Sequence, residues 1–150
     1  INNHNVTEKI RTQEISSIVS SIASIKEVRE FLVKEQRKIG NEGGIVAEGR
    51  DIGSKVFPNA ELKIFLTASI NERAKRRKKE LEELGHGTID FENLRNEIEQ
   101  RDFDDSNRKI SPLIKAEDAV EIISDGHTIN QIVEKILDIY LETIPKELHL

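Results

Sequence analysis

The chain has 150 residues, room for one ordinary domain and not for two. Apolar residues make up 36% and charged residues 34%, a lean but foldable mixture, and a net charge of -5 argues against generic binding to nucleic acid or membrane surfaces. No cysteine is present, which excludes a disulfide framework, a thiol nucleophile and a thiolate zinc site, and no apolar run reaches membrane-spanning length, so a cytoplasmic setting fits.

No repeat, low-complexity tract or long linker divides the chain. Residues 5–10 read as a small β-hairpin. From Thr12 onward Ile15, Ile18, Val19 and Ile22 recur at helical spacing, and Ser24 with Glu27 makes a capping box that should open a second helix bearing Val28, Phe31 and Leu32. Gly40, Gly43 and Gly44 end that helix, and 44–47 then reads as a short buried strand emptying into Glu48, Gly49, Arg50 and Asp51. A second strand is expected over 62–66, followed by Ser69 as the cap of a helix that runs through Arg73 to Lys79 and closes at Gly85. Asp90 should cap a further helix through Leu94 and Ile98 toward Arg101, with a turn at Ser111 and Pro112 beyond it. The third strand is 119–123. Thr128 and Gln131 then cap a last helix whose Ile129, Ile132, Val133, Ile136, Leu137, Tyr140, Leu141 and Ile144 form an apolar stripe. Strands alternating with helices of this length predict an α/β fold with a parallel sheet.

Three constellations can carry chemistry. Glu48, Gly49, Arg50, Asp51, Ile52 and Gly53 stand at the carboxyl end of a predicted parallel strand, where open α/β sheets place ligands. The competing reading is a surface turn whose glycines supply positive φ. Arg73, Arg76 and Arg77 fall at i, i+3 and i+4 and share a helix face suited to gripping phosphate oxygens; the competing reading is a solvated helix salted by Glu80, Glu82 and Glu83. Arg101, Asp105 and Arg108 share a face if their helix continues, an arrangement able to hold a sugar hydroxyl and a phosphate together. Carboxylates at Asp102, Asp104 and Asp105 lack the glycine and terminal glutamate of a calcium loop, and His4, His86, His127 and His149 show no ligand spacing.

The segments IRTQEI, VREFLVKEQRKIG, GGIVAEGRDIGSKVFP, AELKIFLTAS, ERAKRR and RDFDDSNRKISPL, in this order, resemble the bacterial cytidylate kinases, and the resemblance covers nearly the whole chain. It implies a P-loop nucleoside monophosphate kinase-like α/β fold, a parallel sheet flanked by helices, and transfer of the γ-phosphoryl of ATP, with Mg²⁺, to CMP or dCMP. It also implies a CMP-binding region over residues 1–40, core at 41–68, a lid at 69–90, and core with the C-terminal helix at 91–150. By position, Ser20, Arg29 and Asp51 resemble the residues that read cytosine, Arg50 and Arg108 the contacts to the CMP phosphate, and Arg101 and Asp105 the sugar contacts. Arg73, Arg76 and Arg77 resemble the mobile lid over the phosphoryl in flight. Cytosine carries an amino donor where uracil has a carbonyl, so a carboxylate at Asp51 can accept from it.

The chain departs from the family pattern in one respect: it has no GxxxxGK[ST] loop. The family's first strand and phosphate-cradling loop would then lie before Ile1, and these 150 residues alone are not expected to be a competent kinase. With no methionine and a start inside a polar stretch, the chain reads as a piece of a longer protein. The resemblance implies that the parent is a cytidylate kinase, a family that can also occur fused behind a pantoate ligase domain; the alternative is an inactive processed or proteolysed nucleotide-binding fragment. The family's central strand lies between the strands read at 44–47 and 62–66. An empty slot there would orphan two rows of backbone groups at about 1 kcal/mol or more each. Three outcomes are expected: another polypeptide fills the slot, 45–47 moves to pair with 62–66, or the 44–47 strand detaches.

Overall fold

The computed structural model describes residues 3–7 and 9–144. Local capping chemistry starts most of the helices where the sequence places them. The Thr12 hydroxyl accepts from the Ile15 N–H at 3.3 Å and opens α1 (Gln13–Ser24). The capping box expected at Ser24 does not form. Ser24 is still the last helical residue of α1, so its hydroxyl lies over its own preceding turn and donates to the Ser21 carbonyl at 2.7 Å. A single extended residue, Ile25, therefore separates α1 from α2 (Lys26–Ile39) and caps the latter without a side-chain bond. Ahead of α1, the described part of the expected 5–10 hairpin is instead a 3-10 turn at Lys9–Arg11, with the Ile10 N–H donating to the Val6 carbonyl at 3.0 Å.

Gly40 ends α2, and Gly43 and Gly44, at φ 74 and 63, turn the chain away in the left-handed region that a β-carbon disfavours. Beyond them lies a correction to the sequence reading. Residues 44–48 are not a strand: they have no ladder partner among the described residues, Ile45 is 44% exposed and Val46 is fully exposed. A strand is a relation between two segments, and an apolar β-branched run cannot make one alone. Because this segment faces solvent, water can satisfy its backbone groups, so the orphaning cost expected of a dry slot does not arise. Of the three outcomes, pairing of 45–47 with the 62–66 strand does not occur among the described residues.

β1 (Ile64–Thr67) and β2 (Val120–Ile123) form a two-stranded parallel sheet, with Ile64 opposite Val120 and Thr67 opposite Ile123. The long crossover between them carries α3 (Ile70–Glu83) and α4 (Phe91–Asn107), which pack on each other. Ser69 caps α3 by accepting from Glu72 N–H at 3.2 Å, and Asp90 caps α4 by accepting from Asn93 N–H at 2.7 Å. α4 runs to Asn107, so Arg101, Asp105 and Arg108 do lie along one helical face and its end. After β2, the reciprocal capping box of Thr128 and Gln131 opens α5 (Ile129–Thr143). The fold is thus α/β, with a parallel sheet flanked by helices, and no described helix is long and apolar enough to cross a membrane.

The core is small. Ile122 and Val56 are fully enclosed, joined by Ala74, Leu81, Leu94, Val33 and Ile132. The apolar stripe of α5 is mostly open to solvent at Ile129, Val133, Leu137 and Leu141, as is that of α1 at Ile15, Ile18, Val19 and Ile22. Replacing Ile122 by Ala should cost about 2–4 kcal/mol, because it empties an enclosed site on β2. Val46→Thr should stay within about 0.5 kcal/mol. Urea unfolding midpoints of the two variants check both values, and equal losses would contradict this division between core and surface.

Candidate substrate-binding site

The loop after Gly44 acquires its shape from a single π turn, Ile52–Val56, in which Phe57 N–H donates to the Ile52 carbonyl at 2.7 Å. Arg37 of α2 anchors that turn, donating to the carbonyls of Val56 at 2.9 Å and Lys55 at 2.7 Å. The glycines are not there for positive φ, since neither Gly49 nor Gly53 adopts it. Gly49 is needed for space: a β-carbon on it would come within 2.9 Å of the Ile52 side chain. The turn aims Arg50 and Asp51 in different directions.

Asp51 faces α2. Arg29 donates one Nη1 to both Asp51 oxygens, at 3.1 and 3.2 Å, and its Nε to the Ala23 carbonyl at 3.2 Å. Both side chains are about nine-tenths or more buried, and their mutual attraction offsets part of the cost of taking each charge out of water. Arg50 faces α4 instead. Its Nη1 lies 2.8 Å from Asp102 Oδ1 and 2.9 Å from Asp105 Oδ2. Asp105 is almost wholly buried and also receives Arg108 Nη1 at 3.0 Å, while Arg101 Nε stands 3.9 Å away. Arg108 is pinned further by its Nε, which donates to the Ser111 carbonyl at 2.5 Å; Ser111 holds φ 51 to present that oxygen. One buried carboxylate thus gathers three guanidinium groups from two elements.

These residues line a cleft of about 170 Å³. Val19, Ala23, Gln36, Glu48 and Ile52 complete it around Arg29, Arg50, Asp51, Arg101, Asp105 and Arg108. Arg108 Nη2 and Gln36 Oε1 are buried there with no hydrogen-bond partner among the described residues, one a charged donor and the other an acceptor. Buried polar groups without partners are rare in native proteins and point to something that completes them. Burial, and then the neighbouring charge of Arg29, lower the pKa of Arg108 from its ordinary value. For Asp102 burial works the other way, raising its pKa, but the hydrogen bonds and charges of Arg73 and Arg50 outweigh it and hold the carboxyl below the usual range. A larger cleft of about 720 Å³ shares Arg29 and adds Lys34, Arg37, Lys38 and Lys55, so the groove is locally basic on an acidic chain.

Six of the seven residues expected to bind substrate therefore meet in one cleft: Arg29, Arg50, Asp51, Arg101, Asp105 and Arg108. The seventh, Ser20, lies on α1, and its side chain is outside the described residues. The three arginines of α3 go to three different partners. Arg73 reaches Asp102, Arg76 donates to the Ser124 hydroxyl at 3.0 Å and carbonyl at 2.7 Å, and Arg77 pairs with Glu80 at 2.8 Å. Sequence reasoning passed over Asp102 and Gln36 as site residues. Their spacing carried a signal: Asp102 is three residues before Asp105 on α4, and Gln36 is seven after Arg29 on α2, so each shares a helix face with a chosen residue.

Among the described residues no group of three His, Asp or Glu side chains could hold a metal ion.

A model of the cytidylate kinase family matches residues 1–142. A bifunctional pantoate ligase/cytidylate kinase of Prochlorococcus marinus (strain MIT 9215) is 69% identical over 147 residues, which is 98% of this chain and 29% of that protein. The protein of that name in Prochlorococcus marinus subsp. pastoris (strain CCMP1986 / NIES-2087 / MED4) is 69% identical over all 150 residues, again 29% of its length. The one in Trichodesmium erythraeum (strain IMS101) is 54% identical over 143 residues, 95% of this chain and 27% of that protein. The chain thus spans less than a third of the length of these curated relatives. With a matching model over residues 1–142 and relatives this similar, the chain belongs to the cytidylate kinase family.

Proposed function

We propose that this chain is the acceptor-binding part of an ATP-dependent cytidylate kinase that converts CMP or dCMP to the diphosphate, and that it works within a longer polypeptide. The observation that carries the reading is the buried Arg29–Asp51 pair set beside an Asp105-centred cluster of Arg50, Arg101 and Arg108. Cytosine offers an amino donor on one side and ring and carbonyl acceptors beside it. Asp51 supplies the matching acceptor and Arg29 the matching donors, with Ser20 on α1 as a third reader of the base. Arg50 and Arg108 bind the monophosphate, Arg108 through the Nη2 that has no partner among the described residues. Arg101 and Asp105 hold the sugar.

Residues 1–40 then form most of the CMP-binding region, 41–68 and 91–150 the core, and 69–90 the lid. ATP is the phosphoryl donor. Its phosphates and accompanying Mg²⁺ are bound mainly by parts of the protein other than these residues, which contain no GxxxxGK[ST] loop. Exposed Ile45, Val46, Leu66 and the open stripes of α1 and α5 support a further segment, or another chain, packing beside β1 and completing the sheet. On this reading the 150 residues alone are inactive. A cytoplasmic setting agrees with the nucleotide substrates and the absence of cysteine.

The test is phosphoryl transfer from ATP by the complete protein, with CMP, dCMP and UMP as acceptors. CMP or dCMP should be strongly preferred, and the isolated 150 residues should give no turnover. Comparable use of UMP, or no transfer to either cytidine nucleotide, would refute the assignment. The lid reading adds a second expectation. Arg77→Ala should lower kcat about tenfold while CMP affinity barely moves, because the interaction belongs to the phosphoryl in flight. An unchanged kcat would leave Arg77 as the surface partner of Glu80 seen here.

A further inference from the structure

Asp102 has no role in the assignments above, yet it occupies the junction between the acceptor site and α3. It lies on α4, one helical turn before Asp105. Its two oxygens serve two different elements: Oδ1 accepts from Arg50 of the acceptor loop at 2.8 Å, and Oδ2 accepts from Arg73 Nη2 on the first turns of α3. The carboxylate is about three-quarters buried, and Arg73 Nε is buried with no hydrogen-bond partner among the described residues. Two guanidinium groups brought to one point repel each other unless an anion stands between them. Asp102 is that anion in this structure, and it leaves donors of both arginines over for a second one.

We propose that Asp102 is a positioning residue that holds Arg50 and Arg73 at a common locus, tying the acceptor-phosphate site to α3 so that both arginines meet the transferring phosphoryl group. The inference rests on the kinase reading and adds a residue to it. A carboxylate in this position has two opposed effects. It orients the arginines, which favours the transition state. It also competes with the substrate phosphate for them, which weakens ground-state binding.

Removing the charge while keeping the shape therefore separates the two effects. In the complete protein, Asp102→Asn retains one acceptor oxygen but cannot serve both arginines. Its kcat should fall about tenfold or more, since misplaced charged groups lose transition-state contacts, while the CMP dissociation constant stays level or falls. Asp102→Glu should recover much of the loss. Arg73→Lys, which keeps the charge but loses the fork, should reproduce the kcat effect, and the double variant should be little worse than either single one. This second variant decides the matter if Asp102→Asn does not fold.

An unchanged kcat, a rise in the CMP dissociation constant matching the loss of kcat/KM, or fully additive Asp102 and Arg73 effects would overturn the proposal. The kinase reading is judged separately, by whether the unsubstituted protein phosphorylates CMP and whether Arg108→Ala weakens CMP binding.

Discussion

Asp51→Asn in the complete protein is expected to lower kcat/KM for CMP by about a thousandfold and to lower the much weaker use of UMP far less. The carboxylate is the group that distinguishes an amino donor from a carbonyl. Replacing one of its oxygens by an amide NH₂ leaves a single acceptor oxygen for both the cytosine amino group and Arg29, and sets the NH₂ against the one Nη1 that now contacts both oxygens. A site with buried polar groups discriminates strongly because a mismatched ligand leaves them unpaired. The same change removes the counter-charge of a buried guanidinium, so stability should fall by about 3 kcal/mol, visible in urea unfolding. Parallel losses for CMP and UMP would mean that Asp51 matters for the architecture of the loop and not for reading the base.

The second large effect belongs to Arg108. Arg108→Ala should weaken CMP binding and lower kcat/KM by a factor on the order of a hundred, through the loss of charge-assisted hydrogen bonds at about 1.5–3 kcal/mol each. Arg108→Lys should recover little of this. An ammonium cannot at once reach Asp105, the Ser111 carbonyl and a phosphate, which the three guanidinium nitrogens are spread to do. Cytidine, which lacks the phosphate, should bind both variants as it binds the unsubstituted protein. A drop in cytidine binding equal to that for CMP would place the effect on the cleft as a whole.

Much of the secondary structure could be read residue by residue. Ser69, Asp90 and Thr128 each cap a helix where expected, because a cap involves a side chain and a backbone N–H three residues away and nothing else. Ser24 shows the limit of that rule. Whether its hydroxyl faces forward to a new helix or back over the old one depends on where α1 stops, and the packing of α1 against α2 decides that.

The candidate site divides along the same line. The i, i+4 spacing of Arg101 and Asp105 is a property of the chain and was legible in the sequence, whereas Arg29 entered only through the family resemblance. The pairing was not legible. Arg29 finds Asp51 across 22 positions, Arg50 finds Asp102 across 52, and Arg76, while holding Glu72 on its own helix, also reaches Ser124 across 48. Charge runs do not indicate which partner each cation will take, and so the crowded arginines of α3 could not be sorted in advance. Strand formation depended most on the tertiary structure. Residues 44–47 and 64–67 carry the same kind of β-branched pattern, but only the second lies beside a segment whose backbone can bond to it. Hydrophobic period and capping are short-range and can be read from sequence, whereas strand pairing and buried ion pairs require two distant segments to meet, and only the folded chain decides which segments do.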